Sequence, residues 1–265
     1  MQSEFSFKET WLHQINPSLK LIVMILLFVA VLLIHNINFI INFTIVTFIL
    51  FIAFTGHPVK RIMLLSLPFL LVFISTASTM ILFGKGEITW FKWGLIHITE
   101  ESFFRGMHIG FRAIIFAALG LTFALTTRPV FLFYSLMQQL KLPPKYAYSF
   151  MAGMRLIPIM MEEFQTIRQA MKVRGVESRK GIKAFFQKFI TYSIPLLSQS
   201  IRRAHRIAVA MEAKRFSQVK KRTYYYAIAF SRIDILFLSY FVIMLFVGYY
   251  IAIIYPYFSI TDIRF

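Results

Sequence analysis

The chain has 265 residues, 58% hydrophobic and 17% aromatic with only 15% charged, and its apolar residues gather into blocks of about 20, the length that crosses a bilayer as a helix. This excludes an ordinary soluble domain, and the absence of cysteine excludes disulfides, thiolate metal sites and cysteine nucleophiles. A net charge of +18 would suit nucleic acid, but the bases adjoin apolar blocks, where retention on the cytoplasmic side of a membrane is the simpler cause; no nucleic-acid partner is expected.

Residues 1–19 form a polar lead carrying Phe5, Phe7 and Trp11, and Asn16-Pro17-Ser18 turns the chain into a first span at 21–34. Asn36 and Asn38 mark a tight turn before the second span, which runs to about Phe54. Gly56-His57-Pro58 breaks that helix, Lys60 and Arg61 mark a cytoplasmic loop, and the third span covers 62–83 with a kink expected at Pro68. The connection over 84–105 is nearly neutral, and its Trp90, Phe91 and Trp93 suit the outer membrane interface. In the fourth span, 106–125, Gly106 and Gly110 offer a close helix contact, and Arg112 near the outer end is placed to snorkel. The last span covers 235–255, with Tyr249, Tyr250, Tyr255 and Tyr257 as an aromatic belt.

Between the fourth and last spans the character changes. From Arg128 to Arg222 there are 19 Lys or Arg against four acids, so this stretch holds +15 of the net charge. A short helix follows Thr126-Thr127-Arg128-Pro129 and ends before Leu142-Pro143-Pro144. A second, at 145–174, has Phe150, Met154, Ile157, Met161, Phe164, Ile167 and Met171 at helical steps, and Gly175 supplies a left-handed stop. A third, at 182–216, is apolar on one face and carries Arg202, Arg203 and Arg206 on the other. Pro158 and Pro195 interrupt the second and third helices. Glu162 and Glu163 are adjacent, point about 100° apart on a helix and so form no acid/base pair; pairing with nearby bases is their expected role.

The resulting fold class is an all-α integral membrane protein with about five transmembrane helices plus long amphipathic cytoplasmic helices. Its regions are a membrane part at 1–125 with four spans, a basic cytoplasmic platform at 126–222 and a C-terminal span within 223–265. With the N-terminus inside, five spans put the platform inside and the C-terminus outside. Two segments of the platform echo each other: Ala170-Met171 leads to Val173-Arg174-Gly175, and Ala210-Met211 leads to Ala213-Lys214-Arg215. Each closes a long helix, where the macrodipole favours a cation. Because Arg215 lacks glycine's freedom at positive φ, the third helix is expected to run on toward Ser217. Scattered bases such as Lys141 and Lys145 read as charge bound to anionic lipid.

There is no phosphate-binding Gly-x-x-x-x-Gly-Lys-Ser/Thr loop, so the chain is not expected to hydrolyse ATP, and no cofactor or metal is expected. The rival reading is a secondary transporter or channel acting without ATPases, but such carriers usually need intramembrane ionisable groups, and the first three spans and the last contain none.

Thr126-Thr127-Arg128-Pro129, Leu142-Pro143, Arg155-Leu156-Ile157-Pro158 with Glu162-Glu163, Val173-Arg174-Gly175, Pro195-Leu196, Arg202-Arg203-Ala204 and Ala210-Met211-Glu212-Ala213 follow in this order. Together they resemble the transmembrane T component of energy-coupling factor (ECF) transporters. Pro17 and Lys20 fit the N-terminal signature of that family. The resemblance covers nearly the whole chain. It implies a non-catalytic subunit of an ABC-type importer in a bacterial or archaeal plasma membrane. Two Ala-Arg-Gly motifs, each ending a coupling helix, would dock a pair of ABC ATPase subunits. The helices would transmit ATP-driven motion to a separate membrane S component that binds a vitamin or a transition-metal ion. Carried over, the first motif is Val173, Arg174 and Gly175, and the second is Ala213, Lys214 and Arg215, where Lys replaces Arg as a point charge without a bidentate fork. Pro158, Pro195, Glu162 and Glu163 carry over as structural residues of the coupling helices.

Overall fold

The computed structural model describes residues 8–84, 86, 88–93, 96–175, 181–216 and 222–258. Phe5 and Phe7 lie outside them, and only the backbone of Trp93 is described. The elements run α1 (Trp11–Gln14), α2 (Pro17–Leu33), α3 (Ile37–Phe54), α4 (Val59–Phe83), β1 (Thr89–Trp93), β2 (Ile96–Thr99), α5 (Glu100–Thr126), α6 (Pro129–Gln139), α7 (Pro144–Val173), α8 (Ile182–Ala213) and α9 (Arg232–Ile254). The chain divides into two compact units, residues 1–132 with 228–265, and residues 133–227.

In the first unit α3, α4, α5 and α9 are each long and apolar enough to cross a bilayer. The 17-residue α2 is about 25 Å long, short of the roughly 30 Å hydrocarbon core. Side chains set the helix starts. Asn16 accepts from the Ser18 amide with Pro17 at the first helical position, Asn36 accepts from the amides of Asn38 and Phe39, and Ser231 caps α9 with Asp234. Thr99 and Ser102 cap α5 reciprocally, and Glu100 and Glu101 occupy its positive first turn, so this helix begins six residues before the expected 106.

α5 packs on α2, α3 and α4, and α3 packs also on α9. Phe43, Leu50, Ile115, Leu119, Phe237 and Phe241 are buried together at the centre. Gly106 and Gly110 lie where α4 presses on α5: a Cβ at the first would meet Ile81 and the Ala77 carbonyl, and at the second the Phe73 ring. On α4, by contrast, Ile62 and Ala77 are the buried residues, and Leu64, Leu67, Leu70 and Leu71 face outward, as suits lipid. Buried hydroxyls of Thr44, Thr47, Thr122 and Thr126 donate to carbonyls four residues earlier, so they cost little in an apolar medium. Asn42 Nδ2 donates to the Gly248 carbonyl at 3.2 Å and ties α3 to α9.

Three features add to the expectation. β1 and β2 pair antiparallel, with Trp90 and Phe91 exposed. The Arg112 guanidinium donates to the carbonyls of Leu32 and Ile34, the orphan end of α2. Lys20 is only 1% exposed, and its Nζ donates to the carbonyls of Leu12 (2.6 Å) and Thr126 (3.3 Å) and to the Thr126 hydroxyl (3.0 Å). One ammonium thereby joins α1, α2 and the end of α5. Nearby, Asp234 accepts from the backbone amides of Asn16 and Ser231, both at 2.7 Å, and adds the start of α9 to this junction.

The second unit is built on α7 and α8, 30 and 32 residues long, which pack on each other. Pro158 and Pro195 lie inside these helices without ending them. Tyr148, near the start of α7, meets Phe216, just past the end of α8; farther along α7, Phe164 meets Tyr192 of α8. The contacts therefore run antiparallel.

Candidate docking site

Both echoed segments end their helices in the same way. α7 stops at Val173, Arg174 is its C-cap, and Gly175 has φ +71. α8 stops at Ala213, Lys214 is its C-cap, and Arg215 has φ +51. The expectation that α8 continues toward Ser217 is thus corrected within the described residues. The Arg215 amide donates to the Glu212 carbonyl at 2.8 Å and the Phe216 amide to the Met211 carbonyl at 3.0 Å. These are the two bonds of a Schellman stop, and together they hold a non-glycine residue in the left-handed region. At the first stop the Gly175 amide donates to the Lys172 carbonyl at 3.1 Å, the equivalent bond.

Val173, Arg174 and Gly175 are exposed, Val173 at 90%, and so are Ala213, Lys214 and Arg215. Each base stands at the negative end of a long helix. Because the α8 stop lies beside Tyr148, the two stops occupy opposite ends of the helix pair, about 37 Å apart along α7. The stops are joined by a pair of helices, not by one flexible loop.

Glu163 pairs with Arg203 across the helices, as expected for a carboxylate beside these bases, and both side chains are partly buried. Glu162 is exposed, one position round the helix. Large apolar side chains are left outward on both helices, among them Ile157 and Met161 of α7 and Phe186, Phe189, Ile194 and Leu197 of α8. Two residues take parts that the sequence reading did not assign to them. Lys141, at φ +55, ends α6 with the same left-handed geometry, the Leu142 amide donating to the Leu136 carbonyl at 3.1 Å. Arg222 lies over the Phe216 ring at 4.1 Å and donates to the Phe216 carbonyl. Leu142-Pro143-Pro144 signals the first, since a helix must stop there; nothing local signals the second. Among the described residues no group of three His, Asp or Glu is placed to hold a metal ion.

The apolar helices of the first unit and the paired amphipathic helices of the second define an all-α, multi-pass membrane protein. The chain matches the family described as cobalt transport protein, CbiQ, over residues 8–225, and it belongs to that family. It is similar to energy-coupling factor transporter transmembrane proteins of several bacteria. The one from Limosilactobacillus fermentum is 28% identical over 248 residues, covering 88% of this chain and 90% of the relative. That of Thermotoga maritima is 28% identical, covering 85% and 84%, and that of Macrococcus caseolyticus 25% identical, covering 82% and 84%. These likenesses agree with the ordered motifs read from the sequence.

Proposed function

We propose that this chain is the scaffold of an ECF-type importer, carrying the motion of two ABC ATPase subunits to a separate S component that selects a vitamin or metal ion. The observation that supports this best is the pair of basic, exposed stops of matching geometry at opposite ends of α7 and α8. Two stops some 37 Å apart suit two separate subunits, one each. A guanidinium or ammonium at the end of a rigid helix gives a carboxylate-bearing groove a defined partner. In this reading the unit of residues 133–227 is cytoplasmic, which agrees with the concentration of positive charge there. The outward apolar residues of α7 and α8 meet the S component, and a tilt imposed at a stop reaches that surface through a continuous helix.

Co-expression with ABC ATPase subunits in mild detergent tests the assignment. The purified chain should have no ATPase activity and should gain it only in a complex containing those subunits. Hydrolysis by the chain alone, abolished by a mutation within it, would remove the scaffold reading.

A further inference from the structure

The second unit holds a cavity of about 650 Å³ whose walls include Lys141, Lys145, Arg222, Tyr148, Tyr224 and Phe216. We propose that this cavity binds a phosphate-bearing anion. The three cations face one space, and no described acidic residue lines it. Like charges gathered around a cavity repel one another, and a bound anion removes that cost. A neighbouring cavity shares Arg222 and adds Lys214, extending the positive field.

The backbone contributes to the same end. α7 starts here with Pro143 as N-cap and Pro144 at its first position; neither has an N–H and the Tyr146 amide donates to the Pro143 carbonyl, so the helix contributes its dipole and the Lys145 amide. The two helix C-termini nearby would oppose an anion, but part of their negative charge is taken up by hydrogen bonds. Leu136 accepts from the Leu142 amide, Met211 from the Phe216 amide, and the Phe216 carbonyl from Arg222. Arg222 is also stacked on Phe216, which holds its planar fork in place at the cavity. Burial and the neighbouring Tyr134 and Tyr224 push the Tyr148 phenol up, so this wall stays uncharged and adds no negative group.

The phosphate can come from a lipid headgroup or from solution, and the same chemistry recognises both. Binding of inorganic phosphate by the full chain in neutral detergent, measured by calorimetry, is compared for wild type, Lys145→Gln and Arg222→Gln. In a parallel arm, chain taken from nanodiscs of phosphatidylglycerol or of phosphatidylcholine is examined by native mass spectrometry for retained lipid. Lys145 is exposed on the first turn of α7, so its substitution leaves the fold intact even where loss of Arg222 disturbs Phe216. We expect each variant to weaken binding at least tenfold. Phosphatidylglycerol retained by wild type and lost in the variants identifies a headgroup as the source; phosphate binding without lipid retention identifies a soluble anion. Binding of neither, or binding equal in wild type and Lys145→Gln, would overturn the proposal. None of these readings depends on ATPase docking.

Discussion

Arg215 takes the conformation that Gly175 takes at the other stop, although a side chain there costs about 1–2 kcal/mol in the left-handed region. The Schellman bonds to Glu212 and Met211 offset that cost, and Arg222 holds Phe216 from the far side. Replacing Arg215 with Gly should therefore raise stability by about 1 kcal/mol, and Gly175→Val should lower it by at least as much. Thermal unfolding in one detergent, with the two variants side by side, gives the comparison. A loss of stability in Arg215→Gly would mean that the side chain itself holds the stop. The sequence marks both bases and their spacing from Ala-Met, because those are local. It misplaces the end of α8 because the bonds that force Arg215 to positive φ come from the whole last turn, which a propensity at one position does not contain.

The helices themselves were legible from hydropathy and caps. α7 and α8 follow the steps of their apolar residues and stop at or within three residues of the positions expected. The pairing of β1 with β2 was not: the aromatic residues around Gly94-Leu95 read as an interfacial connection, and the one Gly-X turn signal between two short strands was passed over. Lys20 was legible as a motif member but not as a junction, since Leu12 and Thr126 meet it only through the packing of α1, α2 and α5. Removing the ammonium leaves buried carbonyls unpaired, at about 1–3 kcal/mol each. Lys20→Met should accordingly lose several kcal/mol, read as a lowered melting temperature in detergent. An unchanged melting temperature would show that these carbonyls find other donors and that the junction is not what joins the helices.

At the scale of the whole molecule, the proposed orientation rests on charge asymmetry. With the +15 between Arg128 and Arg222 inside, as proposed, a tag inserted between Gly175 and Gly181 should be shielded in intact cells. A tag after Phe265 should be reached from outside, and labelling of both from the same side would contradict the arrangement. The central claim is that the two stops hold the ATPases, and it is tested most directly by charge reversal with recovery of ATPase subunits as the readout. Truncating a desolvated interfacial charge typically costs about 2–5 kcal/mol, and reversal costs at least as much. Arg174→Glu should therefore lose most of the co-purified ATPase and abolish uptake. Lys214→Glu should lose less, because Arg215 stands beside it, and Lys214→Glu with Arg215→Glu should match Arg174→Glu. Full ATPase recovery and normal uptake with Arg174→Glu would contradict the account.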